Sequence, residues 1–202
     1  MNMELNNKVL EKIGGELFLT DEIKPSDIPD LELYMEQILG FLDGKLGHLK
    51  RGEDDKVFTK TMINNYTKAG ILHPPQNKKY NKEHIILLIL IYNLKNILSI
   101  SDIRTMFAPV LNDINSRADD IIPLEEIYAT YLELKEDEFA EFRSTFNEKF
   151  KLIKEKTQSI KDERSQDLAE IFLTVLMLAA QANAAKRLAE KIIDNYFKEL
   201  TI

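Results

Sequence analysis

The residues with the clearest chemistry lie in one polar segment, from Thr59 to Lys68. Asparagine amides can pair bidentately with the edge of adenine, and threonine, lysine and tyrosine side chains can donate to phosphate oxygens. If the segment is a helix, its first turn also presents unpaired backbone N–H groups to an anion. The segment therefore predicts a nucleic-acid surface. We expect Thr61, Asn64 and Asn65 to face base edges, and Thr59, Lys60, Tyr66 and Lys68 to contact phosphates.

A second polar group follows a Pro-Pro break at Pro74 and Pro75. The residues from Gln76 to Tyr80 predict a small wing of two short strands, in which Lys78, Lys79 and Tyr80 would hold the flanking DNA backbone. The alternative is an ordinary polar helix face followed by a polar hairpin. Residue by residue that alternative is favoured, whereas the order of the elements favours DNA binding.

The distribution of charge supports the same surface. The chain has a net charge of −7, yet the segment from Lys45 to Lys82 carries +6 and the remainder −13. Whole-chain charge hides such a basic island, which is the electrostatic footprint of nucleic-acid binding. A solvated basic face is the alternative.

Helices must position these groups, because glycine and proline are scarce and strand-like alternation is rare. Apolar periodicity predicts helices over about 30–46, 60–69, 81–96 and 99–111. Thr59 and Asn81 are suitable N-caps, Gly70 suits a left-handed C′ position, and Ser99 with Asp102 forms a capping box.

This order resembles the winged helix-turn-helix of MerR-type regulators. Their recognition helix has the pattern I-R-Y-Y-E-x-x-G-L-L and is followed by a proline, a basic wing ending in Tyr, a long helix, and a helix that opens with S-L-x-E-I. Asn64 and Asn65 replace the arginine and the first tyrosine of that pattern. The matching positions are Ile63, Tyr66, Gly70, Ile71, Leu72, Lys78, Tyr80, Ser99, Ile100, Asp102 and Ile103.

The whole chain, including the stretch IPDLELYMEQILGFLD, more closely resembles an uncharacterised protein family of low-GC Gram-positive bacteria with a MerR-like N-terminal part. That resemblance implies a small cytoplasmic transcriptional regulator. The fold expected is all-α with at most a small β wing.

We expect an N-terminal arm or short helix over 1–24, a MerR-like winged helix-turn-helix domain over 25–112, and an all-helical dimerisation or effector domain over 120–202. Helices are predicted over about 124–134, 136–159 and 166–200. The centre of the last one, IFLTVLMLAAQANAA, is apolar nearly all round and should be buried against neighbouring helices or another subunit. A phenylalanine stripe is expected in the core: Phe139, Phe142, Phe146 and Phe150, with Ile153.

Catalysis is not expected. The chain has no cysteine, its three histidines lack metal-ligand spacing, and it has neither a G-x-G-x-x-G nor a P-loop motif. We therefore expect no enzyme activity, no cofactor and no metal. His84 is interpreted as a helix-start residue. The longest apolar runs fall short of the roughly 18 residues that span a bilayer, and the first residues lack a signal-peptide pattern, so a cytoplasmic protein without membrane contact is expected.

The sequence thus predicts a transcriptional regulator that binds double-stranded DNA as a homodimer reading an inverted repeat. By family analogy alone, the C-terminal helical domain would bind a small-molecule effector or a protein partner. The alternative is a helical protein–protein interaction module without DNA binding, or an autoinhibited regulator released by a ligand or partner.

Overall fold

The computed structural model describes residues 22–112 and 123–198, together with residues 9, 12 and 13. Most of the predicted N-terminal arm and of the predicted interdomain loop lies outside the described residues. The chain divides into two compact units. The first unit comprises Ile23–Leu132 and Leu188–Ile202, and the second comprises Met1–Glu22 and Glu133–Arg187. This division differs from the predicted boundary near residues 112–120, because both ends of the C-terminal helical region belong to the first unit.

The first unit is helical with a small two-stranded antiparallel sheet, which agrees with the predicted class of an all-α fold with at most a small β wing. The helix predicted over 30–46 begins only at Met35, because Leu33 and Tyr34 pair with the wing as a strand. Strand β1 pairs Leu33 with Tyr80 and Tyr34 with Lys79 of β2. Short 3₁₀ turns cover Pro25–Asp27 and Gly47–Leu49. The elements in chain order are β1 (Leu33–Tyr34), α1 (Met35–Leu46), α2 (Lys60–Lys68), β2 (Lys79–Tyr80), α3 (Lys82–Leu94) and α4 (Ile100–Asn112).

The predicted caps set the helix ends. Thr59 Oγ1 accepts a hydrogen bond from Met62 N at 3.2 Å and starts α2. Ser99 Oγ accepts from Asp102 N at 3.1 Å, which is the capping contact expected before α4. Gly70 has φ +72°, a left-handed conformation that glycine adopts without steric cost, and it ends α2.

The core of the first unit surrounds α3. Helix α3 buries seven of its residues, His84 to Ile89 and Ile91, so it is covered around almost its whole circumference. Two other helices contribute apolar stripes at helical spacing. The stripes are Ile38, Leu42 and Leu46 of α1, and Ile103, Phe107 and Leu111 of α4.

Two long helices follow, α5 (Leu124–Thr157) and α6 (Glu163–Ile192), with five residues of π-helix at Ile193–Phe197. The prediction of two helices over 124–134 and 136–159 was wrong, since α5 is continuous. The physical reason is the absence of glycine and proline from Leu124 to Thr157, where Lys135 and Glu136 are good helix formers. In the first unit, Ile193 is buried, and the π-helix contacts α4.

In the second unit, α5 and α6 pack through a small polar layer. Thr157 Oγ1 donates to the buried carboxylate of Glu170 at 3.1 Å, and Gln166 donates to the same oxygen at 3.0 Å. Phe142, Phe146 and Phe150 stack along α5, but only Phe150 of the predicted stripe is buried.

Most of the apolar centre of α6 is exposed in the single chain: Glu170 and Thr174 are buried, and Ile171 and Leu178 are half-buried. Neighbouring helices therefore do not bury it, and the predicted alternative, burial against another subunit, is not tested by one chain. By length and composition, one described helix, Glu163–Phe197, could cross a membrane. The sequence did not indicate this candidate span, because Thr174, Gln181 and Asn183 divide the helix into shorter apolar runs.

Gly40 and Gly44 provide a stability test of α1. Both lie inside the helix, and a Cβ built on either would meet no atom within 4 Å. We expect Gly40→Ala and Gly44→Ala each to raise the free energy of unfolding by about 0.5–1 kcal/mol, because alanine loses less backbone entropy in a helix. Urea denaturation followed by circular dichroism measures this. Gly70→Ala is the control and should destabilise the chain, since φ +72° strains any residue with a Cβ. A loss of stability at Gly40 would contradict the prediction.

Candidate nucleic-acid interface

Helix α2 separates an apolar side from a polar side. Ile63 and Tyr66 are buried, whereas Thr61, Asn64 and Asn65 are exposed together. Lys60 and Lys68 are exposed at the two ends of the same helix. The residues predicted to read bases therefore share one solvent-facing surface with two cations, as the helical period requires.

The two predicted tyrosines are core residues. Tyr66 is 6% exposed and Tyr80 is 3% exposed. The ring of Tyr66 packs edge-on against Phe58 at 6.2 Å, and that of Tyr80 against His84 at 5.4 Å. Burial raises the pKa of both phenols. We expected both side chains to contact DNA phosphates; the structure instead gives them the role of fixing α2 and the wing against the core.

The wing ends in a two-residue turn. Lys79 N donates to Gln76 O at 2.8 Å, and the two central residues, Asn77 and Lys78, have φ +49° and +65°. Positive φ at both positions is the requirement of a type I′ hairpin turn. Lys78 thus lies at the exposed tip of the wing. The two strands predicted within 76–80 are reduced to one bridge between Gln76 and Lys79. Strand β2 of the wing pairs instead with β1, which the sequence did not predict.

Two glutamates that sequence reasoning missed lie beside the predicted surface. Glu32 pairs with Lys79 at 3.6 Å, and Glu36 pairs with Lys60. The Lys79 ammonium also lies 5.7 Å from the ring centre of Tyr34. Because Glu32 and Glu36 are four residues apart, their Cα atoms lie within about 14 Å of each other. The start of α2 and the base of the wing therefore lie near each other, at one edge of the first unit.

The basic island is partly neutralised in the folded chain. Three more of its lysines pair with acids that lie outside it in sequence. These are Lys45 with Asp27 at 3.5 Å, Lys50 with Asp43, and Lys82 with Glu125 at 2.6 Å. No ion pair of Lys68 or Lys78 occurs within the part of the chain that the structure describes. Of the lysines on α2 and the wing, these two are therefore the ones available to a phosphate without breaking an ion pair of the described chain.

The loop before α2 is tied to the core by Lys95. Its Nζ donates to Val57 O at 2.7 Å and lies 4.9 Å and 4.8 Å from the ring centres of Phe58 and Tyr92. Burial lowers the pKa of this ammonium. Since Thr59 caps α2 two residues after Val57, Lys95 fixes where the helix begins. Arg104 of α4 is a further cation near this surface, with its Nε 3.8 Å from the Cβ position of Gly70.

Two histidines lie beneath the wing. His84 Nδ1 accepts from Asn81 N at 3.2 Å, so His84 completes the capping box of α3 as a helix-start residue. The Nε2 atoms of His73 and His84 are buried and have no hydrogen-bond partner in the described structure. Burial, and then the charge of His73, lower the pKa of His84. The described residues contain no group of three or more His, Cys, Asp or Glu suited to a metal ion.

Comparison with known proteins gives a family for the first unit. Residues 23–131 match the model of a domain of unknown function, DUF1836, over just more than half of the chain. The chain therefore belongs to the DUF1836 family. It is also similar to the uncharacterized protein YkrK of Bacillus subtilis strain 168, with 35% identity over 66 residues, which are 31% of this chain and 28% of that protein. No solved structure matches.

The pKa of His84 predicts acid sensitivity. Because its folded-state pKa lies below the usual 6.5, the unfolded chain binds the proton more readily, and His84 contributes stability that is present above about pH 6.5 and is lost as pH falls through the lower folded-state pKa. His84→Gln keeps an acceptor for Asn81 N and should flatten the fall in urea midpoint between pH 8 and pH 5.5. His48→Gln is the matched control on an exposed histidine. An unchanged pH dependence in His84→Gln would contradict this role.

Proposed function

We propose that this chain is a transcriptional regulator whose first unit binds double-stranded DNA. Helix α2 enters the major groove with Thr61, Asn64 and Asn65 toward the base edges, and Lys60 and Lys68 lie near the phosphates. Lys78 at the wing tip contacts the flanking backbone. The observation that carries the proposal is that the polar side of α2 and the wing lie at one edge of the first unit, since Lys60 and Lys79 contact acids only four residues apart in sequence.

The order of elements supports the proposal. A capped polar helix, a left-handed glycine, a buried apolar pair, a basic hairpin with a buried tyrosine, and a long buried helix follow one another, as in MerR-type regulators. The loop from Gly47 to Thr59 is longer than the three or four residues of a helix-turn-helix turn, so α1 and α2 are joined differently.

The conformation of Lys78 is a second support. The left-handed region costs a residue with a Cβ about 1–2 kcal/mol, and glycine is the preferred residue at this position of a type I′ turn. The chain has lysine there instead, at φ +65°. A strained cation at an exposed tip is accounted for if its charge contacts a polyanion.

We expect the purified protein to bind a duplex from upstream of its own gene more tightly than a scrambled duplex. Fluorescence anisotropy at 50 and 200 mM salt measures both affinities. Affinity should fall with salt, and Lys78→Ala should lower the slope of log K against log salt by about 0.9, since one phosphate contact is lost. Lys151→Ala on α5 is a charge-matched control and should bind as the parent does. No binding to either duplex at 50 mM salt would refute the proposal for the ligand-free protein.

Base reading has a separate test. Asn64→Ala should weaken binding to the upstream duplex by about 1–3 kcal/mol while affinity for the scrambled duplex changes little, because the asparagine contact depends on sequence. Equal losses on both duplexes would instead assign Asn64 to the backbone.

Lys78→Gly should separate stability from binding. We expect the free energy of unfolding to rise by up to about 1 kcal/mol, because relief of the left-handed strain exceeds the extra unfolded-state entropy of glycine. The same variant should lose DNA affinity as Lys78→Ala does. Thermal unfolding and anisotropy on one preparation measure both effects. A variant that is more stable and binds DNA like the parent would leave Lys78 without a role in binding.

The second candidate is a protein-interaction module, or a regulator that is autoinhibited until a ligand or partner releases it. Glu32 and Glu36 favour this candidate over a freely accessible DNA surface. These acids neutralise two of the lysines on the proposed surface. In an autoinhibited regulator the same acids would compete with phosphate. Glu32→Gln with Glu36→Gln should raise DNA affinity if they compete with DNA. An unchanged affinity would remove that role.

We further propose that the regulator acts as a homodimer on an inverted repeat, with an effector or a protein partner bound by the C-terminal helices. The family analogy supports this step. A duplex with two half-sites should then bind more tightly than a duplex with one half-site.

A further inference from the structure

Helix α6 has an apolar face that the second unit leaves exposed. Leu168, Phe172 and Val175 are 56%, 62% and 59% exposed, although large apolar side chains of this kind are usually buried. Two alanines, Ala179 and Ala182, continue the same line and are also exposed. We call these five residues the α6 seam. Their spacing of 4, 3, 4 and 3 residues is that of the contact line of a coiled coil.

The seam points away from α5. Helix α6 contacts α5 through Glu170, which binds Thr157, and through Gln181, which accepts from Lys149 Nζ at 3.2 Å. Thr174 is buried on that same side. With 3.6 residues per turn, Phe172 lies roughly 160° around the helix from Thr174. The packing of α5 on α6 therefore cannot cover the seam, which needs a different partner.

We propose that the α6 seam binds the α6 seam of a second copy of this chain, with the two helices antiparallel. The first three seam residues are large and the last two are small. An antiparallel pair with its two-fold axis at Val175 sets Leu168 against Ala182 and Phe172 against Ala179. Each large side chain then meets a small one, which fills the interface without voids. A parallel pair would set alanine against alanine and phenylalanine against phenylalanine.

The charges at the ends of the seam favour the same orientation. Glu163, Arg164 and Asp167 precede it and together carry −1, whereas Lys186 and Arg187 follow it and carry +2. Antiparallel helices bring the acidic end of one copy to the basic end of the other. The N-terminal and C-terminal ends of the helix dipoles are opposed in the same favourable way.

A membrane is a poorer partner for this face. Helix α5 packs on the other side of α6, and 13 of its 25 residues from Glu133 to Thr157 are charged. Placing such a helix in a bilayer would cost several kcal/mol for each charge at the centre. By contrast, the part of α6 from Glu163 to Arg187 is about 37 Å long, which is enough for three heptads of pairing with a second helix.

The proposed pairing of two copies does not depend on whether the first unit binds DNA.

The mass in solution tests self-association. Sedimentation equilibrium of the full chain should give twice the 23.4 kDa of one copy. Phe172→Glu should weaken dimerisation at least tenfold, because the carboxylate would be buried against Ala179. The matched control is Leu152→Glu, at a 53% exposed leucine of α5, and it should leave the dimer intact. Circular dichroism confirms that both variants keep their helix content.

Cysteine cross-linking tests the orientation, and the natural chain has no cysteine to interfere. Val175→Cys should form a disulfide-linked dimer, because the axis brings the two sulfurs together. Ala182→Cys alone should not link, whereas a mixture of Ala182→Cys with Leu168→Cys should. Efficient linking of Ala182→Cys alone would overturn the antiparallel arrangement.

Three results would overturn self-association through the seam. The chain could be monomeric at tens of micromolar and fail to bind vesicles, which would leave the seam without a second copy or a lipid as its partner. It could be monomeric and co-sediment with phosphatidylglycerol vesicles, which would make the seam a lipid contact. Finally, Phe172→Glu could dimerise as tightly as the parent, which would place the dimer contact elsewhere. None of these measurements involves DNA.

Discussion

The burial of α3 is the constraint on which the first unit depends. An apolar helix that exposes almost no side needs neighbours around its whole circumference, and no single element can supply them. Helices α1, α2 and α4, the two-stranded sheet and Ile193 of the π-helix share that task. Each of these neighbours therefore keeps one apolar stripe for the core and turns its polar residues outward. The polar side of α2 and the wing are exposed as a consequence of this arrangement.

The candidate surface is held in place by groups that do not themselves face a ligand. Tyr66 and Tyr80 fill the core beneath it, and Lys95 fixes the residues that precede the α2 cap. The acids Glu32 and Glu36 add a second feature, since they hold lysines that a phosphate would also attract. Exposed ion pairs of this kind contribute little to stability, so their main effect is on the potential of the surface.

The two units differ in which side chains they bury. The first unit places its large apolar residues in one core, whereas the described residues of the second unit bury Phe150 and a polar layer around Glu170 and leave the α6 seam exposed. Buried polar contacts between two helices help to fix their register but add little to the stability of the pair. Because helices α5 and α6 bury little apolar surface between them, α6 gains most from a further partner, and this is the physical basis for expecting a second copy at the seam.

The sequence by itself determined the existence of helices α1 to α4, the caps of α2, α3 and α4, the left-handed Gly70 and the polar side of α2, because these depend on local periodicity and local hydrogen bonds. Only the tertiary structure decided the β1–β2 pairing, the continuity of α5, the exposure of α6 and the burial of Tyr66 and Tyr80. Apart from the continuity of α5, which follows from the absence of glycine and proline in it, these features depend on residues far apart in the chain: β1 precedes β2 by 46 residues in the Leu33–Tyr34 and Lys79–Tyr80 pairing. Contacts at such separation leave no periodic signal in a single sequence, since the partner positions are set by packing.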